Sequence, residues 1–399
     1  MNRREVKSAP VLRFKGFTND WEQRKLGTAI KIIKDKNKNQ HSYRAFSISN
    51  IKGFIAQDEQ FGKDNTYSKT DKSTNYIVKP GMFAYNPARI NVGSIAYQNQ
   101  IEPVLVSSLY EIFQTNSKID DSFLMNWFKT SLFNRQIKRL EEGGVRQYFF
   151  IDKMKETEIK LPSISEQNQI SKLLQLVNKN LDLQQRKLEL LSLIKKTIIK
   201  HLFKLKNSDS LNLKFKTSCS QWNSKKLGEI AKFINGRAFK QSELLNKGKY
   251  PVLRVGNFYT NDKWFYSDLN LNKNKYADKG DLLYTWSATF GPHIWKGPKV
   301  IFHYHIWKID FDPSTVNKTF LFYFLEADKD NLLTNSNGST MIHITKSNME
   351  NKIINLPQFS IQQNIGTFLS NLDYLINQVK IKSKQLIQLK RFLLQNMFI

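Results

Sequence analysis

The sequence predicts an α+β protein in which two pseudo-symmetric mixed α/β domains are joined by two long antiparallel coiled-coil helices. Three observations carry that prediction. Leu161-Pro162-Ser163-Ile164-Ser165-Glu166-Gln167 returns as Leu356-Pro357-Gln358-Phe359-Ser360-Ile361-Gln362, an offset of 195 that runs without a gap to Phe203 and Phe398. Behind each copy the apolar residues step by three and four, the seam of a coiled coil. Upstream the halves still correspond, but the offset drifts: Trp21…Lys25-Leu26-Gly27 matches Trp222…Lys226-Leu227-Gly228, and Lys79-Pro80-Gly81…Tyr85 matches Asp278-Lys279-Gly280…Tyr284. Drifting offsets mean loops that vary, and a fixed offset means an element of constrained length.

The first domain is expected over residues 1–160. Tyr76–Val78, Ser94–Tyr97, Val104–Val106 and Leu109–Phe113 have strand composition, and Ser122–Leu140 reads as short helices. Residues 161–204 form the first helical spacer, with its seam at Leu174, Val177, Leu181, Leu188, Leu191, Ile198 and Leu202 and breaks at Gln184 and Lys195. Residues 205–221, rich in Lys, Asn and Ser, read as a linker. The second domain is expected over 222–355, with strands at Asp281–Thr285 and His305–Ile309 and a helix over Lys318–Asn331. Residues 356–399 form the second spacer, with its seam at Leu369, Leu372, Ile376, Val379, Leu386, Leu393 and Met397 and breaks at Ser383 and Lys390. Leu-Pro before each spacer marks a helix start, with Ser165 and Ser360 expected as N-caps.

A formal charge of +28 over 399 residues opposes compaction unless a polyanion relieves it. A hydrophobic content of 40% and an aromatic content of 13% supply packed cores, against a disordered basic tail. No apolar run is long enough to span a membrane, Met1–Glu5 carries no signal-peptide stretch, and the single cysteine, Cys219, excludes a disulfide framework. A soluble, cytoplasmic protein that binds nucleic acid is expected.

Catalytic patterns are weak. Tyr85-Asn86-Pro87-Ala88 lacks the second proline and the aromatic of an amino-methyltransferase motif, and the other half has Tyr284-Thr285-Trp286-Ser287. Glu158-Ile159-Lys160 fits half of a nuclease metal site, but its repeat is Ile353-Ile354-Asn355. His303 and His305 are expected on one strand face as ordinary strand residues, with no third ligand at zinc-like spacing. No Walker motif is present. The chain reads as a binder with no catalytic residue and no metal site.

Side chains that reach a DNA groove are expected in polar loops with glycine and aromatic neighbours. In the first domain these are Lys36, Lys38, Arg44, Ser47, Asn50, Arg89, Asn91, Arg146 and Gln147; in the second they are Gly236, Arg237, Lys240, Arg254, Asn257, Trp286, Ser287, Thr289 and His293. Gly143–Gln147 and Asn337–Thr340 occupy matching positions and read as exposed loops. Because the halves are diverged, the expected target is asymmetric and bipartite. A nonspecific or stand-alone DNA-binding protein is the alternative.

The duplicated Leu161-Pro162…Gln167 and Leu356-Pro357…Gln362 with a helix behind each, and the two Trp…Lys-Leu-Gly openings, resemble the specificity subunit of a type I restriction-modification system across essentially the whole chain. One departure is Ile361, where the first copy has Glu166. The resemblance implies two target recognition domains and two conserved antiparallel helices. It also implies two modification subunits bringing adenine methyltransferase sites, with Gln185, Lys187, Gln378 and Lys382 as candidate contacts, and two motor-nuclease subunits for restriction. S-adenosylmethionine, ATP and Mg2+ then belong to the partners, and this chain binds no cofactor.

Overall fold

The computed structural model describes residues 9–61, 72–140, 148–203, 222–259, 261–287, 289–335 and 344–399. The chain divides into two compact units, residues 1–185 with 381–399, and residues 186–380. The loop Gly143–Gln147, with Arg146 and Gln147, the linker 205–221 and the loop Asn337–Thr340 lie outside the described residues.

The first unit contains β1 (Glu22–Lys25), β2 (Ile30–Ile33), β3 (Phe46–Ser49), β4 (Gly53–Ala56), α1 (Gln57–Phe61), β5 (Tyr76–Val78), β6 (Met82–Tyr85), β7 (Ile95–Tyr97), β8 (Val104–Val106) and β9 (Glu111–Thr115). Then come α2 (Asp121–Trp127), α3 (Ser131–Leu140), α4 (Ile151–Glu156), β10 (Glu158–Leu161) and the start of α5 (Ile164–Leu202). An antiparallel sheet of order β2-β9-β6-β7 forms the floor. Its register sets Phe83 opposite Phe113, and the two rings stack at 4.9 Å. β3–β4 and β5–β8 make smaller ladders joined by a parallel bridge between Ala45 and Leu105.

The second unit repeats this order with β11 (Asn223–Lys226), α6 (Leu227–Ile230), β12 (Ala231–Asn235), β13 (Tyr250–Leu253), β14 (Phe265–Ser267), β15 (Tyr276–Ala277), β16 (Leu282–Thr285), β17 (Gly291–Ile294), β18 (Val300–Phe302) and β19 (Ile306–Phe311). It continues through α7 (Lys318–Asn335), α8 (Lys346–Glu350), β20 (Ile353–Leu356) and the first part of α9 (Phe359–Asn396), whose end belongs to the first unit. The sheet β12-β19-β16-β17 corresponds strand for strand to β2-β9-β6-β7, and the parallel pairing of β13 with β18 corresponds to the Ala45–Leu105 bridge. His303 and His305 do not share a strand face: β18 ends at Phe302, His303 makes a single parallel bridge to Arg237, Tyr304 and His305 form the turn, and β19 starts at Ile306.

The Trp…Lys-Leu-Gly openings have a packing cause. The Leu26 N–H donates to the Thr157 carbonyl at 2.8 Å, and the Leu227 N–H to the Lys352 carbonyl at 2.7 Å. The following glycine fits because a Cβ at Gly27 would lie 2.8 Å from the Lys155 Cβ, and one at Gly228 2.9 Å from the Glu350 Cβ.

The spacer helices are uninterrupted, 39 residues in α5 and 38 in α9. At 1.5 Å per residue each is nearly 60 Å long, on the order of ten turns. Every seam position, including the polar breaks Gln184, Lys195, Ser383 and Lys390, is buried or half-buried, while flanking positions such as Leu176 and Leu193 face solvent. In the first unit Leu174 and Val177 of α5 share a core with Leu393 and Met397. In the second, Leu191, Ile198 and Ile199 of α5 share a core with Ile365, Leu369 and Leu372 of α9. Inside each unit the two helices therefore run antiparallel, and their seams also complete the core of the globular part. Phe203 packs on Phe320 at 5.3 Å in the second unit, as Phe398 packs on Phe123 at 5.0 Å in the first.

The helix starts differ from expectation. The Ser163 hydroxyl accepts the Glu166 N–H at 3.3 Å, so Ser163 is the cap of α5 and Ser165 lies within the first turn. In the second copy α9 begins at Phe359 with the Gln358 carbonyl accepting from Ile361 and Gln362, so Ser360 is also inside the helix. The reason is proline: it fixes the backbone just ahead, and the residue directly after it takes the capping position.

Candidate nucleic-acid interface

The position that repeats most closely is a buried glutamine. Gln167 donates to the carbonyls of Pro162 and Lys118 at 2.9 and 3.2 Å and accepts the Asp120 N–H at 2.8 Å. Gln362 donates to the carbonyls of Pro357 and Thr315 at 3.0 and 3.2 Å and accepts the Asn317 N–H at 2.9 Å. Each clamps the start of a spacer helix to the start of α2 or α7, so a globular domain cannot rotate on its helix. Glu166, absent from the second copy, takes a bidentate pair from Arg13 at 2.7 and 2.8 Å.

In the second unit the expected residues converge on the β18–β19 turn. A Cβ on Gly236 would meet the His303 carbonyl oxygen at 2.2 Å, so only glycine lets these backbones pass. Beside it the Arg237 N–H donates to the Phe302 carbonyl and the Tyr304 N–H to the Arg237 carbonyl, both at 3.0 Å. The Arg237 guanidinium lies 5.3 Å over the Phe239 ring and pairs with Glu243 at 2.7 Å. Trp286 stacks on Trp307 at 5.7 Å and donates its indole N–H to the Tyr304 carbonyl at 2.9 Å. His303, Tyr304 and His305 lie ring against ring at 3.9–4.9 Å. Burial, then the charges of His305 and Arg254, lowers the His303 pKa to about 4, so at neutral pH this imidazole is uncharged and offers one donor and one acceptor. The result is a half-exposed surface of arginine, indole, phenol and imidazole, suited to stacking and to hydrogen bonds with base edges.

The other expected residues of this unit fall into two groups. Asn257 holds its own loop: its Oδ1 accepts the Arg254 N–H at 3.0 Å, and its Nδ2 donates to the carbonyls of Asn261 and Lys263 at 3.0 and 3.1 Å. His293 stacks on Phe258 at 4.0 Å and sits 3.3 Å from both the Tyr259 and Thr285 hydroxyls. Burial, then Lys329, lowers its pKa to about 4. Lys240 and Thr289 are exposed, Ser287 is half-buried, and Arg254 lies 5.4 Å over the Phe265 ring.

In the first unit Asn50 and Asn91 line one cleft of about 850 Å³, together with Lys52, Asn99, Gln100 and Asn134. The Ser94 hydroxyl, bonded to the Ile48 carbonyl at 3.0 Å, holds the β3–β4 turn against the loop after β6. Arg44 is turned to Asp58 and Glu59 at 2.7 and 2.8 Å, which neutralises it. Lys36, Lys38 and Arg89 are exposed, and Ser47 is half-buried on β3. Tyr85 is fully buried and donates to the Phe149 carbonyl at 3.0 Å, the role of a core tyrosine.

Tyr304 and the cleft residues Lys52, Asn99, Gln100 and Asn134 line these surfaces and were not among the residues expected from the sequence. The dense run Phe302-His303-Tyr304-His305 was the available signal for the first. Among the described residues no group of three or more His, Cys, Asp or Glu is placed to hold a metal ion, and no helix is long and apolar enough to cross a membrane.

A family profile described as "Type I restriction modification DNA specificity domain" matches this chain twice, over residues 18–193 and 219–390. The putative type I restriction enzyme MjaX specificity subunit of Methanocaldococcus jannaschii is 24% identical over 95% of this chain and 93% of its own length. The EcoBI specificity subunit of Escherichia coli is 24% identical over 43% of this chain, and that match spans 36% of the relative. The MjaVIII specificity subunit of M. jannaschii is 26% identical over 44% of this chain and 42% of the relative. Among solved structures, the S subunit of a type I restriction-modification system from M. genitalium superposes with a TM-score of 0.63 at 16% identity, covering 98% of this chain and 99% of that one. The HsdS subunit from Thermoanaerobacter tengcongensis gives 0.51 at 17% identity, covering 100% and 99%. At such identities these two likenesses bear on the fold.

Proposed function

Because the chain belongs to the type I restriction-modification DNA specificity family, we propose that it is the DNA-recognition subunit of such a system. Each unit reads one part of an asymmetric, bipartite duplex target, and partner subunits methylate adenine and cleave DNA according to that reading. The observation that carries this proposal is one fold used twice with unlike edges. The first unit offers amides and a lysine around Asn50 and Asn91, and the second offers arginine, indole and imidazole around the β18–β19 turn. Amides suit adenine, whereas indole and uncharged imidazole offer stacking faces and a different donor and acceptor set, so two such edges select different bases.

The chain acts without a catalytic centre of its own in this proposal. Two modification subunits and two motor-nuclease subunits assemble on it, and S-adenosylmethionine, ATP and Mg2+ are theirs. Mapping methylated adenines in DNA from cells expressing the complete system tests the reading. The expected pattern is two short unlike sequences separated by unread base pairs. Methylation without sequence preference, or modification by this chain alone, overturns it.

A further inference from the structure

The duplication allows one position to be compared across the two units. Lys195 of α5 and Lys390 of α9 are equivalent, each a polar break in its seam. In the second unit Lys195 is neutralised internally. It pairs with Asp373 at 2.7 Å and Glu326 at 3.2 Å, and lies 5.2 Å from the Tyr323 ring. The caps Asp120 and Asn317, bonded alike to Gln167 and Gln362, align α2 with α7 and make Lys129 the counterpart of Glu326. By the 195-residue offset, Asn178 is the counterpart of Asp373. Around Lys390 both acids are therefore gone, and one has become a second cation.

These two lysines have no ion pair or hydrogen bond among the described residues. Burial and the charge of Lys390 lower the Lys129 pKa; burial lowers that of Lys390 against the pull of Asp182. Together they line a cleft of about 300 Å³ with Thr130, Ser131 and Arg391, and they also form one wall of the 850 Å³ cleft that holds Asn50 and Asn91. Lys390 is half-buried and Lys129 is exposed beside it; the two like charges repel, so an anion entering between them is attracted by both.

We propose that Lys129 and Lys390, with Arg391 beside them, form a clamp for a backbone phosphate of the duplex that the first unit reads. The proposal rests on the DNA-recognition reading above. A phosphodiester is favoured over a partner's carboxylate because the lysines open into the same amide-lined cleft as the candidate reading edge, in a chain of formal charge +28. The second unit has satisfied this position with its own acids, so the clamp belongs to the first unit.

The test uses the full-length chain carrying Lys129→Gln, Lys390→Gln or both. Two short duplexes serve as probes, one containing the methylated sequence and one a scramble of it. The expected result is an equal loss of affinity for both, roughly tenfold for the double variant, with a salt dependence shallower by about one phosphate contact. Thermal stability of the unliganded chain is expected to hold or rise, because a repulsion is removed. Lys129→Arg is expected to keep the affinity. Unchanged affinity and salt slope overturn the clamp. So does a loss confined to the methylated sequence, or a loss that tracks unfolding and is not rescued by arginine. Intact DNA binding with weakened association of partner subunits also overturns it, assigning the lysines to a protein carboxylate. Failure of the wild-type chain to distinguish the two duplexes sinks the specificity reading but leaves the phosphate contact standing.

Discussion

Gln167 and Gln362 carry the joint between globular part and helix, and each is almost fully buried with its amide bonded on both ends. Gln362→Ala strands the Asn317 N–H and two carbonyls, and is expected to cost about 2–3 kcal/mol in denaturant unfolding. His293 and His303 supply a pH test. Their folded pKa values, about 4, lie below the ordinary 6.5, so the unfolded chain takes up protons first. Their contribution is complete above pH 6.5 and is lost as the pH falls toward 4. The melting temperature is expected to drop across that window, and His293→Gln to flatten the drop. At this scale the sequence was partly readable. The repeated glutamine was visible in the copied motif, but its bonding was not, because its partners lie some 45 to 50 residues upstream. Loop residues such as Asn257 and Arg44 carry the polar chemistry of groove contacts, yet fold geometry gives them neighbours within the protein.

The helices were the most legible elements, since a seam of threes and fours survives in one dimension. Even the breaks in that seam were in phase, and Lys195 shows why a cation is tolerated there: two acids from α7 and α9 converge on it. Lys195→Met leaves those carboxylates facing each other. Because both are partly exposed, a loss of about 1–2 kcal/mol is expected in unfolding experiments. Inserting one turn into α5 tests the role of its length: the unread gap in the methylated sequence is expected to change, or modification to stop. Unaltered target spacing would count against the helix as spacer. The short strands were readable by composition, whereas the β18–β19 turn was not. His303 and His305 alternate as strand residues do, but the Tyr304 N–H turns away to the Arg237 carbonyl and the chain reverses there before β19 begins.

For the molecule as a whole, the repeat announced two like folds. Their topologies agree strand for strand although the readout edges have diverged. The expectation that follows is modular. Replacing residues 20–155 with a diverged counterpart is expected to change one half of the methylated sequence, read by methylation mapping. A change in both halves, or in neither, would refute the division of labour. What the repeat did not reveal is that each unit's core draws on both long helices, a non-local arrangement invisible to any periodicity.

That arrangement bears on biosynthesis. Leu393, Met397 and Phe398 lie in the same core as Trp21 and Phe123, and the Asn396 carbonyl accepts the Leu12 N–H at 2.9 Å. A nascent polypeptide has thus translated everything between before its opening portion can close, and must keep that apolar surface from aggregating while it waits. The second unit, whose contributors are all made earlier, is free to consolidate first on the ribosome.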